Sequence, residues 1–287
     1  MRDGSTDAPM GVHLALGGGD DAALAHARWL GCTAAQIFTH SPQSFQFKPL
    51  DTERLARLRA GWKSAGVCVV VSHASYLINV ASAENAKFHG AIGILRKELT
   101  YAAAFGCQYV VLHVGKHTTS TMEEGIAQVV RGITKVEDVL REGAVMLLLE
   151  TAAGQGTEIG SRFDEIGRII GALPVDVAQH VGVCVDTCHV FAAGYDIASD
   201  PDGVVRAMEA GFGLARLKVI HVNDSKGGLG DHKDRHENLG KGQIGIDGLR
   251  AFLTHPKIAP LPKILETPFA DQKEQRVDMD ALRGLVR

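Results

Sequence analysis

The chain has 287 residues, 45% of them hydrophobic, enough to bury a full core as one barrel domain or as two smaller domains. Its net charge of −3 gives no global pull toward polyanions, so a nucleic-acid partner would need a local basic face. No apolar run is long enough to span a bilayer, and the polar start MRDGSTDAPMG lacks the basic-then-apolar pattern of a secretory signal; the expectation is a cytoplasmic protein with no membrane partner.

Along the chain, short runs of Val, Ile and Leu alternate with stretches of helical apolar spacing. A strand at Val12 to Leu16 precedes a helix at Asp20 to Leu30, and a strand at Ala34 to Phe38 precedes a helix at Thr52 to Ser64. Strands at Val67 to Ser72, Tyr109 to His113 and Val145 to Glu150 are followed by helices at Ala83 to Phe105, Met122 to Arg141 and Ser161 to Leu173. Strands at Val181 to Asp186, Leu217 to Val222 and Ile264 to Glu266 are followed by helices at Asp202 to Phe212, Asp247 to His255 and Gln272 to Val286. Gly31, Gly66, Gly106 and Gly143 stand where a left-handed helix cap favours glycine. Apolar strands such as VCVVV and VMLLL suit a parallel sheet covered on both faces, and repeated right-handed crossovers close into a (β/α)8 TIM barrel, with an open doubly wound sheet as the alternative. No linker composition divides the chain, so residues 1–287 read as a single barrel domain. The segment from Asn223 to Gly245 reads as a glycine-rich, charged loop on the seventh strand.

The five cysteines are odd in number, and all but Cys32 lie within or beside apolar runs, so core packing is expected and a disulfide framework is not. Cys184 and Cys188, four apart, would point to one face of a strand without meeting. The 13 histidines are more informative, because imidazole is the commonest transition-metal ligand.

From the third strand to the eighth, the strands end at His73, His113, Glu150, Asp186, His221 and Glu266. In a (β/α)8 barrel these ends share one mouth, where active sites of the fold sit. Independent structural residues have no reason to fill the same edge of consecutive strands with metal-ligand types, whereas a shared metal cluster requires it. His189, Asp234 and His236 flank the same mouth. Imidazoles and carboxylates without a strand-end thiol suit Zn2+, with Mn2+ or Fe2+ as substitutes; nine ligands exceed one ion, so two or three are implied, with Glu150 as the natural bridge.

At these residues the sequence resembles the endonuclease IV family of abasic-site DNA repair nucleases, in the segments HASYLIN (from His73), HVG (from His113), ETAAGQGTEIG (from Glu150), GVCVDTCH (from Gly182), HVNDSK (from His221), DRHENLGKG (from Asp234) and ETP (from Glu266). The resemblance implies a trinuclear zinc site: His73, His113 and Glu150 on one ion, Glu150, Asp186, His221 and Glu266 on the second, and His189, Asp234 and His236 on the third. It implies hydrolysis of double-stranded DNA 5′ to an abasic sugar in base excision repair, leaving a 3′-hydroxyl and a 5′-deoxyribose phosphate. No obligate protein partner is implied. Tyr76 and Leu77 are assigned to a loop that enters DNA at the lesion, although as residues they could equally plug the barrel rim. Two positions depart from the family pattern: Ala15, two residues after His13, stands where serine is usual, and Gln43 stands where an arginine often probes the DNA. Lys116, Lys226, Lys233, Arg235 and Lys241 lie on loops at the mouth, as phosphate contacts or as ordinary surface charge. GKGQIG (Gly240 to Gly245) matches a dinucleotide-binding spacing but follows no strand, and reads instead as a flexible loop near the third metal. The rival readings are a metal-dependent sugar isomerase of the xylose isomerase type and a silent binder of damaged DNA.

Overall fold

The computed structural model describes residues 8–286, so the opening MRDGSTD lies outside the described residues. Among the described residues ten strands form: β1 (Met10–Leu14), β2 (Ala34–Ile37), β3 (Val69–His73), β4 (Tyr109–His113), β5 (Met146–Glu150), β6 (Val181–Asp186), β7 (Leu217–Val222), β8 (Asp224–Ser225), β9 (His236–Glu237) and β10 (Lys263–Leu265). All but β8 and β9 close into a parallel barrel in which chain neighbours pair and β10 returns to β1. The open doubly wound sheet is thereby ruled out. The helices are α1 (Asp20–Leu30), α2 (Thr52–Ser64), α3 (Asn85–Phe105), α4 (Met122–Thr134), α5 (Glu137–Arg141), α6 (Phe163–Ala172), α7 (Val175–Ala178), α8 (Thr187–Ala192), α9 (Pro201–Gly211), α10 (Gly245–Leu253) and α11 (Gln272–Leu285).

Several boundaries differ from the sequence reading for local reasons. Strand β1 starts two residues early, because Met10 and Gly11 pair with Lys263 and Ile264. Gly11 is required there: a Cβ would lie 1.7 Å from the Ala34 carbonyl oxygen. The helix expected over Met122 to Arg141 is two helices. Ile126, Val129, Ile133, Val136 and Leu140 are all buried at unbroken helical spacing, so the periodicity reads through a break at Val136, whose backbone leaves the helix at φ −115°. Helix α8, absent from the sequence reading, is short and wholly buried. It carries Cys188, which therefore does not share a strand face with Cys184. The cysteine burial also departs from expectation, since Cys32 is buried and Cys68 exposed.

Most of the core lies between the strands and the helical ring. Inside the barrel, Ala34, Val71, Val111, Leu148, Cys184, Val219 and Ile264 form a separate apolar layer. Side chains alternate along a strand, so the residue two positions on points inward one layer higher. Those residues are Gln36, His73, His113, Glu150, Asp186, His221 and Glu266, and His13 stands in the same relation to Gly11. The mouth is thus lined by one polar residue from each barrel strand, above this apolar layer.

Candidate metal centre

Three groups of side chains in this ring and its loops place one nitrogen or oxygen each within 4.8 Å of one another: His73, His113 and Glu150; Glu150, Asp186, His221 and Glu266; and His189, Asp234 and His236. Every metal-ligand candidate read from the sequence falls in one of them. Glu150 is buried and belongs to two, and its oxygens divide between them. Oε2 faces His73 Nε2 at 3.3 Å and His113 Nε2 at 3.4 Å, whereas Oε1 faces His221 Nδ1 at 2.8 Å.

The other nitrogen of each of four imidazoles is engaged. His73 Nδ1 donates to the Ala74 carbonyl at 2.7 Å, His189 Nδ1 to that of Thr151 at 2.8 Å, and His236 Nδ1 to that of Glu266 at 3.3 Å. His221 Nε2 donates to Gln36 Oε1 at 2.8 Å. These partners fix each tautomer, leaving a lone pair on the nitrogen that faces the carboxylates. In the third group, His189 Nε2 and His236 Nε2 stand 3.5 Å apart, each 3.2 Å from Asp234 Oδ1. Imidazole nitrogens and carboxylates that converge this closely need a cation between them, protons when no metal is bound, and the donor set fits a metal ion.

The electrostatics agree. Burial would raise the Glu150 carboxyl, but His113 and His221 hold it well below the ordinary carboxylate range. Burial disfavours charge on His189 and His221, yet Asp186 and Asp234 hold the first, and Glu266 and Glu150 the second, well above the usual imidazole value. Burial also opposes ionisation of Asp234, and His189 nevertheless draws its carboxyl down to about 2. Cys184 lies beside Glu150 and His221, and Cys188 beside Asp186 and His236, but burial pushes their thiols up to about 12 and about 11. Thiols held protonated are poor ligands, consistent with core roles.

Asp186 organises the third group. Its Oδ1 accepts from His189 N at 3.0 Å, capping α8, while Oδ2 accepts from Asn223 Nδ2 at 2.6 Å. Asp224 does the same for the loop that delivers Asp234 and His236. Fully buried, it accepts from the backbone N–H groups of Gly240, Gly242, Ile244 and Gly245 at 2.9 to 3.3 Å. The GKGQIG segment is therefore a backbone nest around a carboxylate, and the flexible loop expected from its glycines is not found. A Cβ on Gly242 would lie 2.4 Å from the Ser225 carbonyl oxygen, so the approach requires glycine.

A family model described as a xylose isomerase-like TIM barrel matches residues 24–285. The probable endonuclease 4 of Bifidobacterium longum is 42% identical over 281 residues, covering 96% of this chain and 98% of that protein. That of Methanoculleus marisnigri is 37% identical over 279 residues, with 96% and 98% covered. The chain belongs to the endonuclease IV family. It is a nuclease. The crystal structure of endonuclease IV from Thermus thermophilus superposes with a TM-score of 0.82 at 36% identity, covering 96% of this chain and 99% of that one. A D-psicose 3-epimerase at 16% identity and a TM-score of 0.68 shares the barrel alone.

In this endonuclease IV family member the loop residues named as DNA contacts surround the mouth. Tyr76 and Leu77, on the loop after β3, are 53% and 40% exposed, which disfavours the rim-plug alternative. Tyr76 borders a cavity of about 300 Å³ that His113, Asp234 and Lys116 also line. Gln43 is exposed on the loop after β2, Ala15 on the loop after β1, and Arg235 between Asp234 and His236. Lys116, Lys226, Lys233 and Lys241 are exposed, Lys116 pairing with Glu158 at 3.3 Å. Sequence reasoning missed Gln36, whose amide reaches His221, Glu266 and His13. It also gave no role to His13, whose imidazole burial pulls down to about 4, keeping it neutral among ligand-type groups. The available signal was the alternation: both lie two residues beyond an inward-facing small residue, as each strand-end candidate lies beyond an apolar one.

Proposed function

We propose that this nuclease is a zinc-dependent phosphodiesterase of base excision repair that hydrolyses double-stranded DNA 5′ to abasic sites, leaving a 3′-hydroxyl and a 5′-deoxyribose phosphate. We read the whole chain as one barrel domain working in the cytoplasm. The observation that carries the reading is the division of the Glu150 oxygens between two ligand groups, with a third group beside them. Five imidazoles and four carboxylates suit Zn2+, with Mn2+ or Fe2+ as substitutes, and three groups suit three ions. Zinc bound there would supply a nucleophile at neutral pH, neutralise the phosphoryl oxygens and stabilise the departing 3′ oxygen.

The protein's own groups hold and orient. Glu150, shared by two groups, would help hold the ions of both, and Gln36 and the backbone carbonyls would keep the imidazoles turned toward them. Tyr76 and Leu77 fill the space left by an extruded nucleotide, while Arg235, Gln43 and Lys116 meet the backbone around it. A missing base removes stacking and pairing, so the lesion is cheaper to extrude than an intact nucleotide, which supports selectivity. A nicking assay on duplex DNA with one abasic site tests the reading. Cleavage on the 5′ side, abolished by a chelator and restored by zinc, is expected; binding without cleavage, or isomerisation of a free sugar instead, would overturn it.

A further inference from the structure

Glu98 lies on α3, outside the metal groups, and is fully buried. Its Oε1 accepts from Ser75 N at 2.9 Å and its Oε2 from Thr39 Oγ1 at 3.1 Å, with His40 Nδ1 3.5 Å from Oε1. Thr39 and His40 begin the loop that carries Gln43, and Ser75 begins the turn that carries Tyr76 and Leu77. The two loops are also joined directly. Ser75 Oγ donates to the Pro42 carbonyl at 2.7 Å and accepts from Leu77 N at 3.2 Å.

Helix α3 fixes the first loop further along. His40 stacks on Phe47 with ring centroids 3.9 Å apart, Phe47 meets Tyr101 edge-on at 4.8 Å, and Tyr101 Oη donates to the Lys48 carbonyl at 2.8 Å. An apolar residue at position 98 would pack α3 on the barrel without the cost of enclosing a carboxyl group. Here the group spends both oxygens on two loops instead, and burial pushes its carboxyl up to about 7 even with those donors in place.

We propose that Glu98 is a positioning residue that locks the Gln43 loop and the Tyr76–Leu77 loop into one rigid probe, and so sets discrimination between abasic and intact duplex. The proposal rests on the reading of the mouth as an abasic-site nuclease, and two independent readouts keep the failures apart. In kinetics on an abasic duplex, Glu98→Ala is expected to raise KM about tenfold and to change kcat by less than about threefold, with zinc content unchanged. Glu98→Gln keeps an acceptor for the Ser75 amide and is expected to restore most of the loss. Ser75→Ala, which removes the hydroxyl's links to Pro42 and to the Leu77 amide but leaves the Ser75 backbone N–H on Glu98, is expected to show a smaller rise in KM.

In hydrogen exchange, which needs no activity, the amides of both loops should exchange faster together in Glu98→Ala while β4 and β5 stay protected. A purely structural role would loosen the whole barrel. Folded Glu98→Ala with wild-type KM and unchanged loop exchange would overturn the proposal, as would a fall in kcat that tracks zinc loss. If Glu98→Ala does not fold, unchanged KM and exchange in Ser75→Ala overturn it. Wild-type protein that fails to nick abasic DNA overturns the functional reading, and loop exchange then decides the coupling by itself.

Discussion

Gln36 turns the ring of His221. Its Oε1 accepts from His221 Nε2 at 2.8 Å, which leaves Nδ1 aimed at Glu150 Oε1, 2.8 Å away, and at Glu266 Oε2, 3.1 Å away. A histidine whose second nitrogen is held this way presents one lone pair in one direction, and losing such a partner typically costs about 10- to 100-fold in metal affinity. Gln36→Leu should therefore weaken zinc retention by that order in a chelator competition. Unchanged retention would mean that the ring is oriented by the carboxylates alone.

Glu150→Gln removes a negative charge with little change in volume. With Oε1 and Oε2 serving different groups, it should lower the cleavage rate by about a hundredfold or more while DNA binding largely survives. Near-normal turnover with metals still bound would rule out bridging.

Replacing Tyr76 and Leu77 together by alanine separates lesion recognition from chemistry, because both are exposed and neither belongs to a ligand group. Metal content should not change. Affinity for abasic duplex should fall by a few kcal/mol at most, roughly the cost of unstacking one step, and preference over intact duplex should shrink. Activity on a gapped substrate, which bends more easily, should fall less. Unchanged discrimination would assign lesion selection to the metal pocket alone.

The barrel and the six strand-end candidates were legible in the sequence because strand alternation and parallel topology act on every repeat alike, whereas their division into three groups with His189, Asp234 and His236 came only from the family resemblance. Once His73, His113 and Glu150 close their strands, the fold leaves them nowhere to be except one mouth. What the sequence hid depends on contacts between distant segments. Nothing local says that the Gly240 to Gly245 loop wraps Asp224, sixteen or more residues earlier, so its glycines read as flexibility. Helix α8 was missed because its residues are buried on all sides and show no amphipathic period. Gln36 was passed over because an amide is not a ligand type, and its role exists only through the ring it turns.

The raised imidazoles set a pH dependence. Without metal, the charge on His189 and His221 contributes stability that is fully present below the ordinary histidine value of 6.5 and is lost as pH rises through their higher folded values. Zinc must displace those protons. Its uptake should release protons at neutral pH, measurable by calorimetry in two buffers of different ionisation enthalpy. The gap in Tm between zinc-loaded and zinc-free protein should widen from about pH 6 to about pH 8. A gap independent of pH would show that these histidines do not hold the metal.

We propose that three groups of side chains, two of them sharing Glu150 and the third beside them, form one trinuclear site in the active nuclease. The most direct measurement is elemental analysis of purified protein in parallel with its nicking rate, as metal is withdrawn and zinc returned. Close to three zinc ions per chain are expected at full activity, with the rate falling once the three groups are no longer all filled. Full activity with one ion or none would contradict it.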